Sequence, residues 1–144
     1  MNNVTKIKVF KPANDVFEAF VDPEKIGNFW FSSSSERWEQ GKTITLRYDE
    51  YDAQGDIKIL ETQVNMKIAF RWGTNGEGNP VTITLNELDN STTIVEVTEE
   101  GFNENNSQFI NHLLDNKEGW VYMLTCLKRY LEFGVNKLRS SLVK

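Results

Sequence analysis

Two carboxylates, Glu61 and Glu99, carry the clearest chemical potential in this chain of 144 residues. Each continues a run of alternating apolar residues, Ile57 and Ile59 before Glu61, Val95 and Val97 before Glu99. Side chains on a strand point alternately to its two faces, so parity sets both carboxylates on the apolar face. An acid withdrawn from water in this way can serve as a general acid or base. A bulge or a strand end would instead turn either one to solvent, where Arg47 or Arg71 would suit it as an ion-pair partner. His112 introduces Leu113-Leu114 at the start of a helical stretch and reads as an exposed or capping histidine, since no serine or cysteine nucleophile accompanies it in a motif. Cys126 lies between apolar helix positions and reads as a small buried hydrophobe. The glycines Gly73, Gly76 and Gly78 precede a strand, so the helix N-terminus that a phosphate loop needs is missing. One cysteine and one histidine cannot assemble a zinc cluster or an internal disulfide. No metal and no cofactor are expected, and binding is favoured over catalysis.

The elements that must position these residues begin with the end of the chain. From about Ser107 to Leu142, large apolar residues recur at Trp120, Leu124, Leu127, Leu131, Val135, Leu138 and Leu142. Their steps of three and four make one stripe of an α-helix. Lys128, Arg129, Glu132, Asn136, Lys137 and Arg139 fill the opposite, wet face. Lys137, Arg139 and Lys144 fall near its C-terminal end, where the helix dipole favours positive charge. A one-sided helix must be covered, and its partner lies upstream.

The residues Thr5 to Val9 alternate as a short strand, stopped by Pro12. Val16, Phe17 and Phe20 then have helical spacing, with Asn14 or Asp15 as caps. Asp22-Pro23 opens a second short helix through about Asn28. Three aromatics in succession, Phe29-Trp30-Phe31, cannot all face one way on a regular element. Either they plug the junction between small helices and sheet, or they meet solvent, a loop or a ligand. From Glu36 to Glu99 the pattern is one of strands, with turn signals at Gln40-Gly41, Gln54-Gly55-Asp56, Asn65-Met66, the glycine loop and Asp89-Asn90-Ser91. Strands joined by short turns make an antiparallel meander with one apolar face, the missing partner of the helix. Strands that come in a run before the helix indicate α+β.

Length fits one domain, spanning 1–144. The net charge of −5, without clustered Lys and Arg, argues against nucleic acid as a partner. No run approaches the ~20 apolar residues that span a bilayer, so a cytoplasmic protein without membrane contact is expected.

This order of elements, with particular residues in it, resembles a known family. The residues are Pro12-Ala13 with Val16-Phe17-Glu18-Ala19-Phe20, and Asp22-Pro23-Glu24-Lys25 leading to Phe29-Trp30-Phe31. Gly55, Ile68-Ala69-Phe70-Arg71-Trp72, the Glu100-Gly101-Phe102 corner, and Gly119-Trp120 with Leu124, Leu127 and Leu131 complete the set. The chain is identified on them as resembling the START-like (SRPBCC) helix-grip fold, within its AHSA1 branch, named for activators of the Hsp90 ATPase. The resemblance implies a curved antiparallel sheet wrapped around a long C-terminal helix, two short helices after the first strand, and a cavity between sheet and helix. The cavity would be lined by Trp38, Tyr48, Ile59, Phe70, Trp72, Leu85 and Val97 from the strand region, by Trp30 from the aromatic run before it, and by Trp120 and Leu124 from the helix. Glu61 and Glu99 would be its polar groups. The indoles of Trp38, Trp72 and Trp120 favour a small cavity. A small hydrophobic or aromatic ligand is the expected partner. A chaperone met through Phe29-Trp30-Phe31 is the alternative, and a cyclase or hydrolase using the carboxylates a further one.

Overall fold

The computed structural model describes residues 1–143; Lys144 lies outside the described residues. Seven strands form one antiparallel sheet in the order β1-β7-β6-β5-β4-β3-β2, curled into a half-barrel. They are β1 (Asn3–Val9), β2 (Ser33–Ser34), β3 (Thr43–Tyr48), β4 (Ala53–Gln63), β5 (Lys67–Trp72), β6 (Pro80–Asp89) and β7 (Thr92–Glu99). The first strand pairs with the last, Asn3 facing Glu99, so the N-terminal strand forms one edge of the sheet. Helix α1 (Ala13–Val21) packs its Val16, Phe17 and Phe20 inward, and α2 (Phe109–Phe133) crosses the concave face. Alternation decides what is buried. Ile44, Leu46, Ile57, Ile59, Ile68, Phe70, Val81, Ile83, Val95 and Val97 are all within 1% of complete burial, while their neighbours on the same strands are wetter.

The long helix is shorter than its apolar spacing indicates. Trp120, Met123, Leu124, Cys126 and Leu127 are its buried side, but the helix stops at Phe133. Gly134 adopts φ +69°, and its N–H donates to the Tyr130 carbonyl at 2.9 Å while Val135 N–H reaches the Arg129 carbonyl at 3.3 Å. Glycine takes this left-handed conformation without the Cβ penalty that other residues incur, and so ends helices. Val135, Leu138 and Leu142 therefore leave the helical stripe. Residues 134–143 fold back as a strap in which Leu138 still packs against the core. Lys137 and Arg139 are not at a helix end, and the helix has no basic residue in its last turn.

Other expectations are corrected locally. The second short helix after Asp22-Pro23 is present as a 3-10 helix confined to Ile26–Asn28, with the Asp22 carboxylate accepting from Glu24 N–H at 2.9 Å. Helix α1 is capped from a distance: Ala13 N–H donates to Glu87 of β6 at 3.1 Å, and neither Asn14 nor Asp15 caps it. Residues 36–39 form no strand. Gln54-Gly55-Asp56 lies inside β4, Gly55 paired with Leu46, and the turn comes earlier, at the 3-10 segment Asp49–Tyr51 and Asp52 with φ +47°. Nothing lies within 4 Å of a Cβ placed at Gly55, so this glycine marks an open stretch of strand and not a bend.

The burial of Leu127, with none of its surface exposed, gives a stability test. Leu127→Ala should cost about 2–5 kcal/mol as a large-to-small change in a packed core. The measurement is a shift of the denaturant midpoint at unchanged slope, and a loss below about 0.5 kcal/mol would contradict this packing.

Candidate functional site

Glu99 is the last residue of β7 and keeps the inward parity of Val95 and Val97, so its carboxylate is 4% exposed. Four side-chain N–H groups converge on it. Trp120 Nε1–H donates to Oε1 at 3.2 Å, Trp72 Nε1–H at 3.3 Å and Asn116 Nδ2–H at 3.0 Å. Asn79 Nδ2–H donates to Oε2 at 3.1 Å. Asn116 is held in turn by Asn3, whose Nδ2 donates to Asn116 Oδ1 at 3.0 Å and to the Leu113 carbonyl at 3.1 Å. A buried carboxylate needs such donors, because leaving its lone pairs unmet in a low-dielectric interior costs several kcal/mol. Gly101, at φ +94°, keeps the adjoining corner tight: a Cβ there would stand 2.4 Å from Asn79 Oδ1.

Glu61 ends elsewhere. The β4–β5 register slips between Ile59 and Glu61, leaving Leu60 exposed and pairing Glu61 with Ala69. A bulge adds one residue, and one residue reverses the face. Glu61 therefore stands on the opposite side of the sheet from Ile59, 3.0 Å from Lys67 Nζ, and this ion pair followed by the Gln63 amide holds its carboxyl below the usual range. The two carboxylates expected to share the apolar face do not share it.

A cleft of about 900 Å³ opens between α2, the end of the sheet, the Phe29-Trp30-Phe31 segment and the strap. Of the expected lining, Trp30, Tyr48, Trp72 and Trp120 border it; Glu99 stands directly behind the last two indoles. Trp38, Ile59, Phe70, Leu85, Val97 and Leu124 fill the interior beneath it. The cleft is larger than three bulky indoles suggest, because Trp38 packs against Trp30 and Phe70 with its Nε1–H on Ser34 Oγ at 3.2 Å, away from the opening. Phe29, Trp30 and Phe31 are all buried and sit at the junction between small helices and sheet, their rings edge-on or tilted to Phe20, Trp120 and Tyr48.

Sequence reasoning missed the strap and its latch. Arg139, 10% exposed at its side chain, donates from Nη1 to both Glu50 oxygens at 2.6 and 2.9 Å, from Nε to the Trp30 carbonyl at 2.6 Å and from Nη2 to Ser32 Oγ at 3.1 Å. The guanidinium, then Ser32, hold the Glu50 carboxyl below its ordinary range despite opposing desolvation. Tyr122 O–H donates to the Leu138 carbonyl at 2.5 Å. Asn116 was within reach of sequence reasoning, one turn before Trp120 on the same helical face; Arg139 was not, since the stripe had placed it on a helix. His112 is exposed and Cys126 buried, with burial pushing its thiol up.

Tyr48, on the rim, has its phenol pushed by desolvation from 10.0 up to about 12. The folded state thus favours the neutral phenol, so this contribution is intact below pH 10 and is lost as pH rises from 10 through 12. Tyr48→Phe should therefore lose less stability than the parent protein between pH 10 and 12, measured by chemical denaturation; identical pH profiles would contradict the assignment.

The family model described as Activator of Hsp90 ATPase homolog 1-like protein matches residues 11–132. Protein SSP2350 from Staphylococcus saprophyticus is 55% identical, with a TM-score of 0.86 over 97% of this chain and 98% of its own. The Aha1 dimer from Colwellia psychrerythraea contributes a fold at 21% identity, TM-score 0.79, covering 93% of this chain and 98% of that one. DynU16, from the dynemicin biosynthetic locus, does so at 23% identity and TM-score 0.80, over 96% of this chain and 49% of its own. No curated protein matches. The match to the family model across most of the chain, on a helix-grip sheet and helix, places this chain in the AHSA1 family of the START-like superfamily.

Proposed function

We propose that this chain binds a small hydrophobic, aromatic molecule in the cleft between α2, the sheet end and the strap. The observation that carries the reading is a space of about 900 Å³ bordered by the rings of Phe29, Trp30, Phe31, Tyr48, Trp72 and Trp120. Concave, largely apolar spaces of this size suit a small organic ligand. The hydrogen-bonding chemistry supports the same conclusion. Trp72 and Trp120 have committed their only donors to Glu99, so what they offer a ligand is ring surface and not an N–H.

A chaperone-facing reading through Phe29-Trp30-Phe31 loses its motive, because these rings lie in the core and present no exposed patch. A two-carboxylate mechanism likewise has no pair to act with, Glu61 and Glu99 standing on opposite faces.

The test uses the four tryptophans of the sequence as reporters. A compound library is screened by thermal shift, and hits are titrated into isotopically labelled protein. The indole N–H resonances of Trp30, Trp72 and Trp120 should move, while that of Trp38, outside the cleft, should stay. A hit at about 100 times its dissociation constant should stabilise the fold by about 2.7 kcal/mol. Hits that move Trp38 alone, or a library without hits, would count against the reading.

A further inference from the structure

Among the described residues no lysine, arginine or histidine forms an ion pair with Glu99, and its four partners are neutral amides and indoles. Every one of those partners donates, a pattern that suits an acceptor-only carboxylate. Two of them are the indoles of Trp72 and Trp120, whose rings border the cleft with centroids 6.3 Å apart. An indole whose N–H donates to a carboxylate is polarised towards a more electron-rich ring, and an indole is already the strongest aromatic partner for a cation. Trp30 and Phe31 complete a circuit with them, Trp30 at 5.5 Å from Trp120 and 4.8 Å from Phe31, and Phe31 at 6.4 Å from Trp72.

The rim adds an independent observation. Arg139, which borders the cleft, is neutralised by Glu50 and sits 5.8 Å from the centre of the Tyr48 ring. An aromatic wall of this cleft therefore already holds a cation, one tethered by the strap. With Glu50 and Arg139 paired on the rim, the charge that stands behind the floor is that of Glu99.

We propose that the cleft selects cationic aromatic compounds, a quaternary ammonium or protonated amine carried on a flat ring, through the negative charge of Glu99 acting across the rings of Trp72 and Trp120. The inference rests on the ligand-binding reading above and narrows it to one class of ligand. The ring supplies the apolar contact that any occupant of the cleft would make, and the positive charge supplies discrimination. A carboxylate-bearing ligand of the same shape is disfavoured by the same field.

The experiment compares three probes of similar size: (2-naphthylmethyl)trimethylammonium, 2-naphthylmethanol and 2-naphthylacetate, each titrated against the intact chain and followed by tryptophan fluorescence and indole N–H shifts. The ammonium probe should bind about tenfold tighter than the alcohol and tighter still than the acetate. Glu99→Gln, which keeps one acceptor oxygen but removes the charge, should reduce the preference for the ammonium probe over the alcohol to within about threefold. Trp72→Phe, which keeps a ring but cannot donate to Glu99, should reduce the preference in the same direction and serves where Glu99→Gln does not fold. Equal binding of ammonium and alcohol, or preference for the acetate, would overturn cation selection while leaving ligand binding standing. Failure of all three probes to bind would overturn both.

Discussion

The structure depends on a carboxylate that has been taken out of water and must be satisfied there. Glu99 draws donors from β5, from the loop before β6 and from α2, and through Asn116 it is connected to β1. Apolar packing would hold helix against sheet at many rotations and offsets, because hydrophobic contact has little direction. Hydrogen bonds to a buried anion do have direction, and losing one is expensive. The register of Trp120 over Trp72 is therefore set by a polar contact, while the energy that presses the two together comes from the apolar residues around them. Cleft geometry follows from that choice, since the same two indoles border it.

A second constraint comes from two of the irregularities that interrupt otherwise regular elements. The slip after Ile59 moves Glu61 out of the interior to Lys67, and Gly134 ends α2 before its apolar spacing does. Each is a one-residue event with a consequence on the scale of the domain. Without the first, a second buried carboxylate would need its own set of donors. Without the second, residues 134–143 would continue the helix away from the cleft, and Arg139 could not reach Glu50, Ser32 and the Trp30 carbonyl.

The cleft combines these two features. Its inner wall is fixed by Glu99 and its outer wall by Arg139, two polar anchors on opposite sides of an aromatic space. The strap is attached chiefly by polar contacts to partly wet groups, whereas the inner wall belongs to the core. The cleft is accordingly rigid on the side of α2 and β5, and its rim is held by contacts that compete with solvent.

Much of the fold was legible in the sequence. Alternation in Ile57 and Ile59, Ile68 and Phe70, Ile83 and Leu85, and Val95 and Val97 determined the inward face, and the spacing of Trp120, Leu124 and Leu127 determined that a helix lies on it. These patterns are local and periodic, and period is what a backbone imposes on a chain. Glu99 was legible for the same reason, by continuing a parity that no bulge disturbs. What only the tertiary structure decided was the end of each pattern and the company each polar residue keeps. The reversal at Glu61, the left-handed turn at Gly134, the cap that Glu87 gives Ala13, and the convergence of Asn79 and Asn116 on Glu99 all join residues distant in sequence or turn on one residue's conformation. A buried polar group takes whichever donors the completed fold brings to it, and no spacing along the chain encodes them.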